Sequence, residues 1–188
     1  MTISDSLGRL ILSRELSPER TIHPEHPRER DRIPPILLAA IARCVDGLAL
    51  WPLFCCGPAG TGKTSAGLYL ADRAAGDTKM FTFAELCELA RLAKFEPSSI
   101  EALIWHDWGK WRLIIIDELG TRDTASDHAY ETLLGAIDRR RGKPLAVLSN
   151  DDLPKIARLY DDRIASRLSA GTVVSLGECR DQRLDTGG

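Results

Sequence analysis

The chain has 188 residues, with 25 lysines and arginines against 27 aspartates and glutamates and a formal net charge of −2 at pH 7. This length suits one ordinary domain and is too short for two large ones. The nearly balanced charge excludes a general basic field, so any contact with DNA has to come from a local patch. The five cysteines have no paired metal-ligand spacing. Because the sequence also has neither a secretory-leader pattern nor a bilayer-spanning apolar run, we expect a soluble cytoplasmic protein with no membrane partner.

Three regions differ in composition along the chain. Residues 1–35 are charged and interrupted by prolines, as at Ser17-Pro18 and His23-Pro24, and prolines break helical and strand patterns. We therefore predict an irregular N-terminal extension over 1–35. Residues 36–180 are predicted to form the folded domain, and residues 181–188 are predicted to form a C-terminal tail.

Helical and strand patterns alternate through the predicted domain. Apolar residues at helical spacing up to Gly47 predict a first helix, and the apolar run from Leu50 to Cys56 is typical of a strand buried on both faces. Thr82 and Ser98, each followed three residues later by glutamate, predict two later helix starts. Strands are predicted at 79–81, 113–116, 145–148 and 172–176, and helices at 65–75, 82–93, 98–108, 126–140 and 154–168. This alternation predicts an α/β fold with a parallel five-stranded sheet flanked by helices.

The segment GPAGTGKT, from Gly57 to Thr64, fits the Walker A pattern of a phosphate-binding loop. Its glycines let backbone N–H groups curl around phosphate oxygens, and a helix starting at Lys63 points its positive end at them. In this motif the lysine reaches the β- and γ-phosphates and the Thr64 hydroxyl ligates Mg²⁺. We predict ATP and Mg²⁺ as cofactors, with the nucleotide bound by Gly57, Pro58, Ala59, Gly60, Thr61, Gly62, Lys63, Thr64 and Ser65. A glycine-rich turn without a ligand is the alternative, which the flanking strand and helix disfavour.

An acidic pair follows the apolar run 113–116 and has the form of a Walker B strand. In a parallel sheet the end of this strand lies beside the phosphate loop. Asp117 is predicted to hold Mg²⁺, directly or through water, and Glu118 to orient and polarise the water that attacks the γ-phosphate. The alternative is an acidic turn that ends a strand.

Asn150 ends a further buried strand at 145–148. A short amide at this position is suited to hold the attacking water between Glu118 and the γ-phosphate. Ser149 to Asp152 also has the composition of a turn that caps the following helix, and both interpretations are compatible.

The segments GPAGTGKT, LIIIDELG, IDRRRGKPLAVLSN and DDRIASRLSAGTVVSLGECR occur in this order between Leu50 and Arg180. Together they resemble the AAA+ ATPases of the DnaC-type helicase-loader and IstB-type transposase-helper group. The resemblance implies a P-loop AAA+ core without a C-terminal lid domain, and it implies Asn150 as sensor 1. It also implies Arg167 as an arginine finger that completes the ATP site of a neighbouring subunit, with Arg163 as the second candidate and Arg180 assisting. Without the resemblance, either arginine is equally well a solvated residue or the partner of a nearby aspartate.

The resemblance also implies partners. These are other copies of the chain, single-stranded DNA, and a replicative helicase or a transposase. The basic run from Arg139 to Lys143 and the tryptophans 105, 108 and 111 are the candidate DNA contacts. Each has an alternative, because basic residues favour helix C-termini and tryptophans at this spacing often pack a helix on a sheet.

The leading functional hypothesis is an ATPase that acts in DNA replication as a helicase-loader-like factor. An IstB-like transposition helper is the alternative within the same group. A small-molecule phosphotransferase and a nucleotide-gated binding module with little hydrolysis are alternatives from other classes.

Overall fold

The computed structural model describes residues 31–74, 77–120 and 125–177. The strands are β1 (Leu53–Cys56), β2 (Thr78–Thr82), β3 (Leu113–Leu119), β4 (Leu145–Ser149) and β5 (Thr172–Ser175). The helices are α1 (Pro35–Val45), α2 (Lys63–Arg73), α3 (Phe83–Phe95), α4 (Ile100–His106), α5 (Asp127–Arg139), α6 (Leu153–Leu159) and α7 (Asp162–Ser169), with a 3₁₀ turn at Asp107–Gly109. The predicted tail, Arg180, Cys179 and residues 1–30 of the predicted extension lie outside the described residues.

The five strands form one sheet in the order β2-β3-β4-β1-β5, and every pair is parallel. The predicted α/β fold with a five-stranded parallel sheet is therefore confirmed. Strand β1 lies between β4 and β5, so the loop that follows it leaves from the interior of the sheet. In open parallel sheets, ligands bind at the carboxyl ends of the strands, where connections run to opposite faces.

Helices cover both faces of the sheet. Along β1, Phe54 and Cys56 point into one buried apolar cluster, which includes residues of α3, α4, α5 and α7. Leu53 and Cys55 point into the other cluster, which includes residues of α1 and α2. Successive side chains of a strand alternate between faces, so a strand covered on both sides has to be apolar at every position. This explains why β1 has no polar residue.

Two predicted helix boundaries are wrong. The single helix expected over 154–168 is two helices, because the Asp161 side chain accepts a hydrogen bond from the Ile164 amide at 2.8 Å and so starts α7 anew. Ser99, not Ser98, caps α4, since its hydroxyl accepts from the Ala102 amide at 3.1 Å. The Thr82–Glu85 capping box of α3 is confirmed.

The described cysteines Cys44, Cys55, Cys56 and Cys87 are reduced. Burial raises the pKa of the Cys44 and Cys56 thiols above the ordinary value, so these two remain protonated core residues. Within the described part of the chain, no helix has both the length and the apolar character needed to cross a membrane.

The basic run after α5 packs against the tryptophan segment. Arg140 is 2% exposed, and its guanidinium donates to the carbonyl oxygens of Trp108, Trp111, Arg112 and Pro144 at 2.6–3.3 Å. Burial lowers the pKa of this arginine below its usual value, but an arginine remains charged. One planar cation therefore satisfies carbonyls from two separate loops.

The neighbouring basic residues have similar roles. Arg139 stacks on the Trp105 ring at 4.5 Å from its centroid and donates to the Trp105 carbonyl at 2.9 Å. The Lys143 ammonium donates to the Gly109 carbonyl at 2.7 Å. The indole of the buried Trp108 donates to the Ala136 carbonyl at 3.1 Å. These contacts favour the packing interpretation of both candidate DNA-contact segments.

We predict that Arg140→Ala lowers the free energy of unfolding by about 3 kcal/mol, because several buried carbonyls lose a charged donor. Arg140→Lys recovers only part of the loss, since one ammonium does not reproduce the planar fork. Urea unfolding measures both values. Arg141→Ala is the matched control, because Arg141 is exposed, and we expect a change within about 0.5 kcal/mol for it. Equal stability of the Arg140→Ala and Arg141→Ala variants would contradict the anchoring role.

Candidate nucleotide site

The carboxyl ends of β1, β3 and β4 surround a cleft of about 400 Å³. Its walls come from the loop after β1, the first turn of α2, the acidic end of β3 and the end of β4. A cleft of this size lies within the range of small-molecule sites. The sequence segments that were assigned to phosphate, metal and water therefore meet at one place.

The loop 57–62 is tied to strand ends on both sides of β1. The Gly57 amide donates to the Ser149 carbonyl at 3.2 Å, and the Leu176 amide donates to the Cys56 carbonyl at 2.7 Å. A Cβ atom at Gly57 would lie 2.7 Å from the Leu176 Cβ, so no larger residue fits there without movement. The loop thus starts from a fixed point.

Gly62 ends the loop and is the N-cap of α2, with φ at 84°. This left-handed conformation favours glycine. Because glycine has no side chain, it does not cap the amides of the first helical turn. The first amides of a helix have no partner within the helix. The start of α2 therefore offers backbone donors and a positive dipole end to an anion in the cleft.

Lys63 is 7% exposed, and its ammonium donates to the carbonyl oxygens of Gly57 and Pro58, both at 2.7 Å. The Thr61 hydroxyl donates to the same Pro58 carbonyl at 2.8 Å. The lysine thus lies folded along the loop that its motif assigns to phosphate. A phosphate oxygen that binds here would replace one of these carbonyls as an acceptor.

The acidic pair lies at the end of β3 beside the start of α2. The Thr64 hydroxyl donates to Asp117 Oδ2 at 2.8 Å, and the other carboxylate oxygen, Oδ1, accepts from the Glu118 amide at 2.8 Å. Asp117 is 6% exposed, whereas Glu118 is exposed to the cleft. The two residues that the sequence predicts as Mg²⁺ ligands, Thr64 and Asp117, therefore lie in contact with each other.

Glu118 has an unusual backbone. Its φ is 60°, which makes it the one described non-glycine residue with positive φ. Such a conformation costs on the order of 1 kcal/mol and persists where the surroundings hold it. The Asp117 carboxylate, by accepting the Glu118 amide, provides part of that hold. The sheet register also shifts between Ile116 and Leu119. At this irregularity Glu118 departs from the regular alternation of side chains between the two faces of the sheet.

Asn150 lines the same cleft immediately after β4. Its neighbours are fixed, because the fully buried Ser149 hydroxyl lies 2.9 Å from the Leu119 carbonyl and accepts from the Asp151 amide at 2.9 Å. Asp151 in turn pairs with Lys155 at 2.6 Å. Asp152 caps α6 through the Lys155 amide at 2.9 Å. Both predicted properties of this segment, a polar amide at the cleft and a cap for the next helix, are thus present in the structure.

The two candidate finger arginines lie on α7, away from the residues that line this cleft. The Arg167 guanidinium contacts Asp138 at the end of α5, with Nε 2.5 Å from Oδ1 and Nη2 3.4 Å from Oδ2. Arg163 is exposed. Neither residue is placed to act on a nucleotide in the cleft of its own chain.

One charged residue of the cleft was not predicted from the sequence. Arg32 lines the cleft, although it falls in the part of the sequence that was predicted to be irregular. Its neighbour Ile33 is 2% exposed and packs in the cluster of α1 and α2. A single apolar residue between an arginine and two prolines gives no periodic signal, so no pattern indicated this packing.

The oxygen donors in the cleft suit Mg²⁺, which prefers a few hard oxygen ligands and retains water. Thr64 and Asp117 supply a hydroxyl and a carboxylate at 2.8 Å from one another. Among the described residues, no group of three or more His, Cys, Asp or Glu side chains is arranged to hold a metal. A magnesium ion here would therefore depend on phosphate oxygens and water for its remaining ligands.

No protein-family model matches the chain, and no curated protein matches it in sequence. Solved structures do match. AMPPCP-bound DnaA from Aquifex aeolicus has a TM-score of 0.64 with 17% identity over 86% of this chain and 51% of the DnaA chain. DnaA bound to AMPPCP and single-stranded DNA has a TM-score of 0.66 with 15% identity over 86% of this chain and 50% of that one.

The DnaC helicase loader has a TM-score of 0.62 with 16% identity over 82% of this chain and 93% of the loader chain. The chain thus spans about half of the DnaA chains that it matches and most of the DnaC chain. At these identities the likeness concerns the fold. Within the described residues there is no separate lid domain after β5. The chain has the fold of the P-loop AAA+ domains, and the resemblance to the DnaC-type group seen in its motifs extends to its architecture.

Proposed function

We propose that this chain is an ATP-binding and ATP-hydrolysing AAA+ protein that acts in DNA replication as a helicase-loader-like factor. The observation that carries the proposal is the contact at 2.8 Å between the Thr64 hydroxyl and Asp117, with Glu118 and Asn150 on the same cleft. A simple anion site needs the phosphate loop alone. An ATPase also needs an oxygen site for a metal and a carboxylate for water, and this cleft has both.

Each cleft residue has a task in this proposal. The amides at the start of α2 and the Lys63 ammonium bind the β- and γ-phosphates. Thr64 and Asp117 hold Mg²⁺, which when bound neutralises charge on the phosphate oxygens. Glu118 accepts a proton from the attacking water, and the Asn150 amide orients that water. The exposure of Glu118 to the cleft, while its backbone is fixed by Asp117, supports this division of work.

Assembly is the second part of the proposal. Because Arg167 and Arg163 are not among the residues that line their own cleft, a contact from either of them to the γ-phosphate would be made to the nucleotide of a neighbouring copy. A guanidinium supplied in this way stabilises charge that develops on the phosphate only when subunits dock. The single-stranded DNA in one DnaA structure and the helicase loader among the similar folds support DNA and a replicative helicase as partners.

The DNA contact in this proposal does not depend on the run from Arg139 to Lys143. Three of its four cations donate to carbonyls of the tryptophan segment or of Pro144, and one of the three, Arg140, is buried. Single-stranded DNA is therefore proposed to bind elsewhere on the assembly. A transposition helper of the IstB type would use the same ATP chemistry with a transposase as partner.

A small-molecule phosphotransferase is the alternative from a different class. It would need an acceptor in place of water. Release of inorganic phosphate from ATP by the purified chain, without an added acceptor, separates the two.

We predict that Lys63→Ala lowers ATP affinity at least about tenfold, because it removes the buried cation of the phosphate loop. Calorimetric titration of ATP with Mg²⁺ measures the affinity. Lys94→Ala is the matched control, since Lys94 is exposed at the end of α3. Unchanged ATP affinity in Lys63→Ala would remove the phosphate-loop assignment.

Glu118→Gln is expected to bind ATP like the parent and to lower turnover about 10²- to 10⁴-fold, because the amide does not accept a proton from water. Steady-state phosphate release gives the rate. Glu131→Gln, an exposed glutamate on α5, controls for the loss of one charge. If Glu118→Gln turns over at the parental rate, the water-activating role is wrong.

We predict that Arg167→Ala and Glu118→Gln are each inactive alone and that a mixture regains activity. In an assembly with heterologous interfaces, about a quarter of the interfaces in an equal mixture combine an intact Glu118 with an intact Arg167. Phosphate release at increasing ratios of the two variants measures the rescue. The same mixture made with Arg163→Ala tests the second arginine.

One control separates this role from the ion pair within the chain. Asp138→Ala removes the partner of Arg167 but keeps the arginine, so it should retain activity if the finger acts in trans. Absence of rescue at every ratio, or equal losses in Asp138→Ala and Arg167→Ala, would contradict the assignment.

A further inference from the structure

Arg32 is a cation on the cleft that none of the sequence motifs includes. It lines the same cavity as the phosphate loop and the acidic pair. The residue lies before α1, far from the Walker A segment in sequence. The packing of the segment before α1 brings Arg32 to the cleft.

The backbone at Arg32 is held against the end of the phosphate loop. A Cβ atom at Gly62 would lie 2.1 Å from the Arg32 carbonyl oxygen and 3.3 Å from the Pro34 side chain. Glycine is thus needed at position 62 for this close approach as well as for its φ of 84°. The chain from Arg32 to Pro34 therefore packs directly on the N-cap of α2.

The same segment is anchored on its other side. Ile33 is 2% exposed within the core cluster of α1 and α2. The Pro34 carbonyl accepts the amides of Leu37 at 2.9 Å and Leu38 at 3.1 Å, which fixes the start of α1. With its neighbour in the core and its own carbonyl against Gly62, Arg32 has a constrained backbone, and its side chain alone remains free to move. Binding of a ligand by this cation therefore costs the entropy of its side chain but not that of its backbone.

The charges of the cleft leave Arg32 available. The described side chains on its walls include two cations, Arg32 and Lys63, and two carboxylates, Asp117 and Glu118. Lys63 is bound to loop carbonyls, and Asp117 is bound to Thr64 and to the Glu118 amide. Among the described residues, no hydrogen-bond acceptor or carboxylate pairs with the Arg32 guanidinium. An arginine that has no partner among the described residues and lies beside a phosphate-loop motif is suited to receive an anion.

We propose that Arg32 binds the polyphosphate of the nucleotide in its own chain, as a second cation beside Lys63. The inference rests on the proposed function, since it names a further ligand contact of the same cleft. A guanidinium presents a planar fork that pairs two phosphate oxygens at once, which a lysine does not do.

The test uses the full chain, with Mg²⁺ present throughout. ATP is titrated calorimetrically, and tripolyphosphate is titrated in competition with a fluorescent ATP analogue. Arg32→Ala is expected to weaken ATP and tripolyphosphate by the same factor, about tenfold, or 1.4 kcal/mol. Arg32→Lys keeps the charge but loses the fork, and its loss should be about threefold.

Two controls make a negative result informative. Arg43→Ala removes an arginine from the last turn of α1, outside the residues that line the cleft, and should leave both affinities unchanged. Thermal unfolding without nucleotide should be the same for Arg32→Ala and the parent, because the side chain is exposed.

Three results would overturn the inference. If Arg32→Ala binds ATP with the affinity of the parental chain, Arg32 makes no contact with the nucleotide. A loss for ATP with none for tripolyphosphate places the arginine on the base or the ribose and so refutes a phosphate contact. If the parental chain binds ATP no more tightly than Lys63→Ala does, the proposed function is wrong as well. The first two results leave the proposed function intact.

Discussion

The Ser149 position is the point on which the geometry of the cleft depends. Its carbonyl accepts the Gly57 amide at 3.2 Å, which ties the start of the phosphate loop to β4. Its hydroxyl, with no exposed surface, lies 2.9 Å from the Leu119 carbonyl at the end of β3. One residue therefore fixes the ends of β1 and β3 relative to β4. A buried hydroxyl is costly without partners, and here its partners are Leu119 at the end of β3 and Asp151 in the turn after β4.

This constraint also accounts for the position of the two exposed polar residues. Glu118 precedes Leu119 and Asn150 follows Ser149, so the hydrogen bond between the two buried neighbours sets the spacing of the two exposed side chains. Gly120 completes the arrangement, because a Cβ atom there would lie 2.3 Å from Asp151 Oδ2. The positive φ of Glu118 is a consequence of bringing these strand ends together. Buried neighbours thus determine where the Glu118 and Asn150 side chains lie on the cleft.

Local patterns in the sequence were sufficient to predict the sheet and to predict that the Walker segments lie together at one cleft. The apolar runs that predicted strands are buried strands because helices cover both faces, and the Walker segments meet because parallel strands end at one edge. The patterns failed where distant segments decide the outcome. Nothing near Arg140 in sequence indicates that it binds carbonyls of residues 108–112, and nothing near Arg32 indicates that it reaches the cleft. The break between α6 and α7 was missed because a cap at Asp161 has the same composition as an exposed helix position.

Arg140 and Arg167 differ in role because their hydrogen-bond partners differ. Arg140 is enclosed by carbonyls and has no surface left for a ligand. Arg167, by contrast, pairs with Asp138 in a partly exposed position. The Arg167 side chain is 20% exposed and the Asp138 side chain is 38% exposed. A partly exposed ion pair of this kind contributes at most about 1 kcal/mol, whereas a charge-assisted fork to phosphate in a closed interface is stronger. The Asp138 pair therefore orients the α7 guanidinium, and its modest strength is compatible with the proposed exchange to a phosphate on a neighbouring copy.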